Sequence, residues 1–243
     1  MFYFLIAPYL SYNIILIVAA IVPAIYLLIK VYRSDRLEKE SPQLLRRLVF
    51  AGIFSTQIAI VLERLTSNLL TYFVSPDTII YRVILYFVIV ALSEEGSKYF
   101  MLKRTSWNSY EFNCIFDGIV YATFASLGFA LWENISYVVH YGLGNAFVRA
   151  FTAIPGHACF GVFMGIFYSA ARMAENAGDG QAAGRYKFLS ILVPVLIHGA
   201  YDYIATIPTN ELNIAFIVFI VILFLITNQV IKNVSNNDQY MNQ

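Results

Sequence analysis

Two adjacent carboxylates, Glu94 and Glu95, interrupt a segment that otherwise reads as membrane-spanning. From Tyr81 the run passes through Val83, Ile84, Leu85, Phe87, Val88, Ile89, Val90, Ala91 and Leu92, and apolar chain resumes at Tyr99, Phe100 and Met101. An ionisable group in hydrocarbon costs at least about 2.5–3.5 kcal/mol, so two in succession cannot both face lipid. A polar cavity between helices would give them partners, water or a metal. Lys98, one helical turn beyond Glu94, offers a different solution: an interfacial pair, neutralised at i,i+4 and reaching toward water. The pair alone does not choose between these readings.

Three later segments carry polar groups at similar depth. Trp132-Glu133-Asn134 lies about two turns before an expected helix end at Tyr141. There the bland reading is an acid near the interface beside a structural amide. Ile154-Pro155-Gly156-His157 places a helix-breaking pair just before a histidine, freeing backbone groups that need partners. Gly161 and Gly165 form a GxxxG face on the same stripe, which permits close approach of another helix. His198 and Asp202 are four apart and share a helix face, so Asp202 can orient the imidazole. A single buried histidine is most often just bonded to a neighbour. Four consecutive helices each carrying an unsatisfied ionisable group is a different matter. One shared site is cheaper than four separate burials. Glutamate and imidazole suit a zinc site with a spare carboxylate as base, and equally suit metal-free acid–base catalysis.

The elements that must position these groups follow from hydropathy. The 243 residues are 59% hydrophobic and 13% charged, against about 25% charged for a soluble domain. The fold class is an all-α polytopic membrane helix bundle. Apolar runs near the ~20-residue spanning length predict seven helices. They cover about residues 9–31, 48–73, 78–102, 114–141, 146–174, 186–207 and 212–231. One transmembrane domain, 1–231, holds the site core at 92–202. Residues 232–243 form a polar cytoplasmic tail, expected to be disordered. Pro76-Asp77, Gly142-Leu143-Gly144 and Pro208-Thr209-Asn210 are turns. Lys30, Arg33, Arg36, Lys39, Arg46 and Arg47 collect around the first loop. Lys103, Arg104, Arg172, Arg185, Lys187 and Lys232 fall on the same side. The positive-inside rule then puts the N-terminus outside. Net charge of +1 argues against nucleic acid as a partner. Cys114 and Cys159 suggest neither a disulfide nor a thiolate metal site, and no cleavable signal is expected at the N-terminus. Glu63, Arg64, Asp117 and Arg149 read as structural or interfacial, and His140 as an interfacial bystander.

There is no HExxH helix and no Gly-x-Ser-x-Gly elbow. The ordered motifs Glu94-Glu95-x-x-Lys98, Phe129-x-x-x-Glu133-Asn134, His157-Ala158-x-x-Gly161 and His198-x-x-x-Asp202 resemble those of the PrsW intramembrane proteases. Asp117-Gly118 is similar to that family too. The resemblance covers about Leu92 to Asp202. It implies a bacterial plasma-membrane protease, related to the CAAX prenyl proteases and bacterial self-immunity proteases. Such an enzyme would cut a single-pass, membrane-anchored anti-sigma-factor-like protein in regulated, signalling proteolysis. Carried over residue by residue, the catalytic set is Glu94, Glu95, Glu133, His157 and His198. Asp202, Asn134 and Lys98 orient it. His157, His198 and Glu133 are candidate ligands for a metal, with zinc as the candidate ion. Two alternatives stand beside this reading: a non-enzymatic scaffold or substrate-recruiting subunit, and a proton-coupled transporter using Glu and His as a relay. The histidine depths and that of Glu133 put the site in the outer half of the membrane, whereas Glu94 comes out deeper, roughly 24 Å from its helix start.

Overall fold

The computed structural model describes residues 2–207 and 209–241. Pro208 of the expected last turn and residues 242 and 243 of the tail lie outside them. The element order is α1 (Phe2–Ser34), α2 (Pro42–Phe73), α3 (Ile79–Val83), a π-helical stretch (Ile84–Ala91), α4 (Leu92–Ser106), α5 (Asp117–Phe151), α6 (Ala153–Asn176), α7 (Gly180–Ala205) and α8 (Asn210–Asn236). No strand is formed among the described residues; the exception to helix and loop is one isolated bridge, Cys114 to Tyr240. Long aliphatic helices satisfy every backbone group internally, as hydrocarbon requires.

Length and hydropathy qualify five helical stretches as spans. One of them, Asp117–Asn176, is a 60-residue run comprising α5 and α6. That makes six passes. The interrupted stretch α3–π–α4, which carries Glu94, Glu95 and Lys98, is the remaining part of the expected seven, so that count is approximate. The outer faces agree with a lipid environment: Phe50, Phe54, Leu65 and Leu69 on α2 and Ile214, Ile217, Val221 and Leu225 on α8 are exposed.

Starts and stops follow local chemistry. Ser41 caps α2 by accepting from the Leu44 N–H, with Pro42 in the first turn, where no N–H is needed. Thr78, Asp179 and Thr209 cap α3, α7 and α8 in the same way. Gly142, at φ 79°, kinks α5. Several boundaries differ from the sequence reading: α2 starts at Pro42 and α7 at Gly180, each about six residues earlier than expected. The helix expected from Ala146 is divided at Thr152, and α6 begins at Ala153. Pro155 then sits in the first turn of α6, where a missing N–H is harmless, so it does not break a helix before His157.

The bundle is built around α5, and small residues set its distances. A Cβ on Gly165 would lie 2.4 Å from the Gly118 oxygen, and one on Gly161 would lie 2.8 Å from the Thr123 Cα. The GxxxG face of α6 thus lies directly on the α5 backbone. On the other side, Gly52 of α2 meets the Ala125 carbonyl and Gly128 of α5 meets that of Val49. Below the site, toward the basic loops, an aromatic core of Trp107, Phe112, Phe116, Tyr121 and Tyr168 closes the bundle. Phe112 stacks on Tyr168 with ring centres 5.2 Å apart.

The tail differs from the expectation of disorder. α8 continues to Asn236, and the residues beyond it dock on the loop before α5. Asp238 accepts from the Phe116 N–H at 2.8 Å. The Ile115 N–H reaches the Gln239 carbonyl, the Met241 N–H donates to the Asn113 carbonyl at 2.6 Å, and Met241 is buried in the aromatic core. A polar tail stays ordered when it supplies a helix cap and one apolar anchor. In the neighbouring first loop, burial beside Asp117 pushes the Glu40 carboxyl up to about 10, and its Oε2 accepts from the Tyr121 hydroxyl at 2.7 Å.

Candidate active site

The glutamate pair enters the bundle at the start of α4, directly after the π-helical stretch. Such stretches recur at functional sites because the extra residue per turn re-aims the side chains that follow. Here the π segment packs Phe87 against Gly199, where a Cβ would lie only 2.5 Å from the Phe87 ring. Close contact at Gly199 brings α4 beside His198, the preceding residue on α7.

Lys98 is the centre of the arrangement. It is fully buried, and its Nζ donates to Glu94 Oε2 at 3.1 Å and to Glu95 Oε1 at 2.8 Å. The third partner is His157 Nδ1, also at 3.1 Å. An ammonium has three donors and no acceptor, so Nδ1 must be the accepting nitrogen. The proton of His157 is then on Nε2, which donates to Glu133 Oε2 at 2.9 Å. Arg149 Nη2 pairs with the same Glu133 oxygen at 2.9 Å. Asn134 accepts from Arg149 Nε at 2.8 Å and donates to the Ala20 carbonyl at 2.8 Å, tying the arginine to α1. The Phe129 ring lies 3.9 Å from Lys98 Nζ.

The second histidine is placed from the other side. His198 Nδ1 donates to Glu95 Oε1 at 2.9 Å. Its Nε2 then faces Asp202 Oδ2 at 3.4 Å and Glu94 Oε2 at 3.9 Å. Phe160 stacks on the imidazole with centroids 4.6 Å apart. Glu95, fully buried, is thus the carboxylate that orients His198, while Asp202 sits on the opposite nitrogen.

A cavity of about 680 Å³ opens onto this set. Glu94, Glu133, His157, His198 and Asp202 all line it. Glu95, Lys98 and Asn134 stand behind that wall and hold it in place. The residues named as catalytic or orienting from the sequence therefore meet at one place. Two more belong to it that were read as structural: Glu63 and Arg149 line the same cavity. The signal for Glu63 was present in the spacing Thr56, Ile60, Glu63, one stripe of α2 facing inward. Arg149 reaches Glu133 because the chain folds back at Gly142, where the sequence had placed a turn. Asp117 takes no part; it accepts from the Asn113 and Cys114 N–H groups at 2.9 and 2.6 Å and fixes the loop before α5.

Glu94, which the count from its helix start puts deeper, lines the same cavity as Glu133, His157 and His198.

A helical membrane bundle with carboxylates and imidazoles around an internal polar cavity defines the class of intramembrane hydrolases. The family described as PrsW family intramembrane metalloprotease matches residues 40–227. The chain belongs to that family and is a membrane-embedded peptidase of the bacterial multi-pass type. It is 34% identical over 199 residues to Protease PrsW of Bacillus subtilis, covering 80% of this chain and 84% of that protein. Protease PrsW of Clostridioides difficile is 30% identical over 231 residues, covering 93% and 92%. Protease PrsW of Oceanobacillus iheyensis is 29% identical over 219 residues, covering 90% and 95%. No solved structure matches the chain.

A metalloprotease implies a metal. Glu94, Glu95 and His157 each offer a ligand atom within 4.8 Å of the others, a donor set of suitable chemistry. The point on which those atoms converge is held by Lys98 Nζ, which bonds all three residues. With the lysine so placed, these residues do not fit an ion there.

Proposed function

We propose that this protein hydrolyses a peptide bond in a single-pass membrane protein of the anti-sigma-factor type, as a step in regulated proteolysis. The observation that carries the reading is the cavity onto which Glu94, Glu133, His157, His198 and Asp202 converge. A scaffold subunit has no need of a water-accessible pocket lined by four carboxylates and two imidazoles.

The proposed roles follow from what each group touches. Glu94 is the general base: it faces the cavity, and only Lys98 bonds the Oε2 that points toward His198. His198, with Nδ1–H held by Glu95 and a second proton on Nε2 beside Asp202, gives the Nε2 proton to the leaving amine as the C–N bond breaks, and the proton that Glu94 took from water restores it. Arg149 supplies positive charge and the neutral His157 a hydrogen-bond donor at Nε2–H, the groups that would stabilise an oxyanion forming on the scissile carbonyl. Zinc, the candidate ion, would need Lys98 to leave the point where Glu94, Glu95 and His157 converge; with the ammonium there, these residues do not hold it. Incubating the purified protein with tagged single-pass substrates, with and without chelator, tests the activity. Fragment masses should place the cut at or just beyond the end of the substrate helix that lies away from the basic loops. A cut on the basic-loop flank overturns this siting.

Orientation is the second part of the proposal. The basic loops gather at one end of the bundle, with Glu38 bonded to Asn113, Ser41 to Glu111 and Glu175 to Trp107 across them. We assign that end to the cytoplasm. A cysteine replacing Lys39 should be protected from an impermeant thiol reagent in intact cells, and labelling there would reverse the assignment.

A further inference from the structure

At the basic end, α1 and α8 part to leave a groove of about 640 Å³. Four cations line it: Lys30, Arg33, Arg36 and Lys232, with no carboxylate among its walls. Lys30 donates to Asn228 Oδ1 and Arg36 to Asn236 Oδ1, each at 2.7 Å. Those partners are neutral amides and leave the charges uncompensated. Arg33 and Lys232 make no hydrogen bond or ion pair among the described residues. Below them the two helices are clamped by the Ser235 hydroxyl, which donates to the Ser34 carbonyl.

The groove does not end at its charged mouth. Lys30, Asn228 and Ile231 also line a narrower cleft of about 160 Å³ that rises between α1, α6 and α8. Its other walls are mainly apolar, among them Leu27, Val31, Val162 and Phe224. An uncompensated cation cluster at a helix-end level, with a hydrocarbon slot behind it, has the shape of a two-part ligand. A soluble anion would satisfy the cations and leave the slot unused, whereas a neutral lipid would fill the slot and leave the cations unpaired.

We propose that this groove binds one anionic phospholipid, its phosphate among Lys30, Arg33, Arg36 and Lys232 and an acyl chain in the cleft between α1, α6 and α8. Basic pockets between helices at the cytoplasmic level recognise acidic headgroups in this way. The site shares no residue with the catalytic cavity, so it stands or falls independently of the proposed mechanism.

Lipid adducts on the full-length protein in neutral detergent, measured by native mass spectrometry, test the proposal. Phosphatidylglycerol should bind, while phosphatidylcholine with the same chains and glycerol 3-phosphate should not. Each basic residue near an anionic lipid contributes about fivefold in affinity, so R33Q/K232Q should bind phosphatidylglycerol about 25-fold more weakly. Its unfolding temperature without lipid should match the parent, because neither side chain has a partner to lose. Dihexanoyl phosphatidylglycerol should bind at least about tenfold more weakly than the long-chain form, since it buries fewer methylenes. Equal binding of phosphatidylcholine, equal binding of glycerol 3-phosphate, or unchanged affinity in R33Q/K232Q would overturn it.

Discussion

Glu94→Gln should lower the rate of peptide-bond cleavage by about 10²–10⁴-fold, the range that a general base supplies. Glutamine keeps the shape and can still accept one hydrogen bond from Lys98, so the fold should survive. What it loses is the ability to take a proton from water. The carboxylate is well placed for that task. It lines the cavity, and the gap from its Oε2 to His198 Nε2 is 3.9 Å, too long for a direct bond. Glu95→Gln should act differently. Glu95 does not line the cavity, and its Oε1 serves Lys98 and His198 together. Losing that charge should disturb the tautomer and position of His198, and its effect should not add to that of a His198 substitution. Initial rates on a tagged substrate, with circular dichroism to confirm folding, decide the assignment. A Glu94→Gln protein cutting at near the parental rate removes Glu94 from the role of base.

The largest stability effect is expected at Lys98. Lys98→Met removes the ammonium that bonds both Glu94 and Glu95 and leaves two buried carboxylates side by side. Breaking a buried ion pair from one side destabilises by about 3–5 kcal/mol, because the remaining charge is uncompensated. Replacing both partners by neutral groups of similar size is far less costly. The double variant Lys98→Met/Glu95→Gln, which still carries the Glu94 charge, should therefore recover part of the thermal stability while remaining inactive. The same pair of proteins addresses the metal. If the ammonium holds the point where Glu94, Glu95 and His157 converge, the parent should purify with little metal bound there, and Lys98→Met should take up more. Thermal unfolding in detergent and elemental analysis read both results. A parent carrying one equivalent of metal that Glu94→Gln abolishes would show that Lys98 does not hold that position in solution.

The chemistry of the site was legible in the sequence because of the solvent. In hydrocarbon an ionisable side chain is expensive enough that its presence is itself a signal. Glu94, Glu95, Glu133, His157, His198 and Asp202 announced themselves one by one, and their spacing on consecutive helices pointed to a single site. The small-residue stripe Gly161 and Gly165 was legible for a related reason: close backbone approach needs the absence of a Cβ. Tertiary structure alone decided how the charges are divided among partners. Which carboxylate orients His198 depends on the angle at which α4 meets α7, set by a π-helical stretch and one glycine contact, and hydropathy carries no trace of either. Lys98 looked like a local partner for Glu94, but it also reaches His157, a residue 59 positions away. Arg149 meets Glu133 through the fold-back at Gly142, whose angle packing sets. Helix ends and crossing angles come from packing summed over many weak contacts. The cost of a buried charge belongs to a single residue, and that difference separates what the sequence disclosed from what the fold determined.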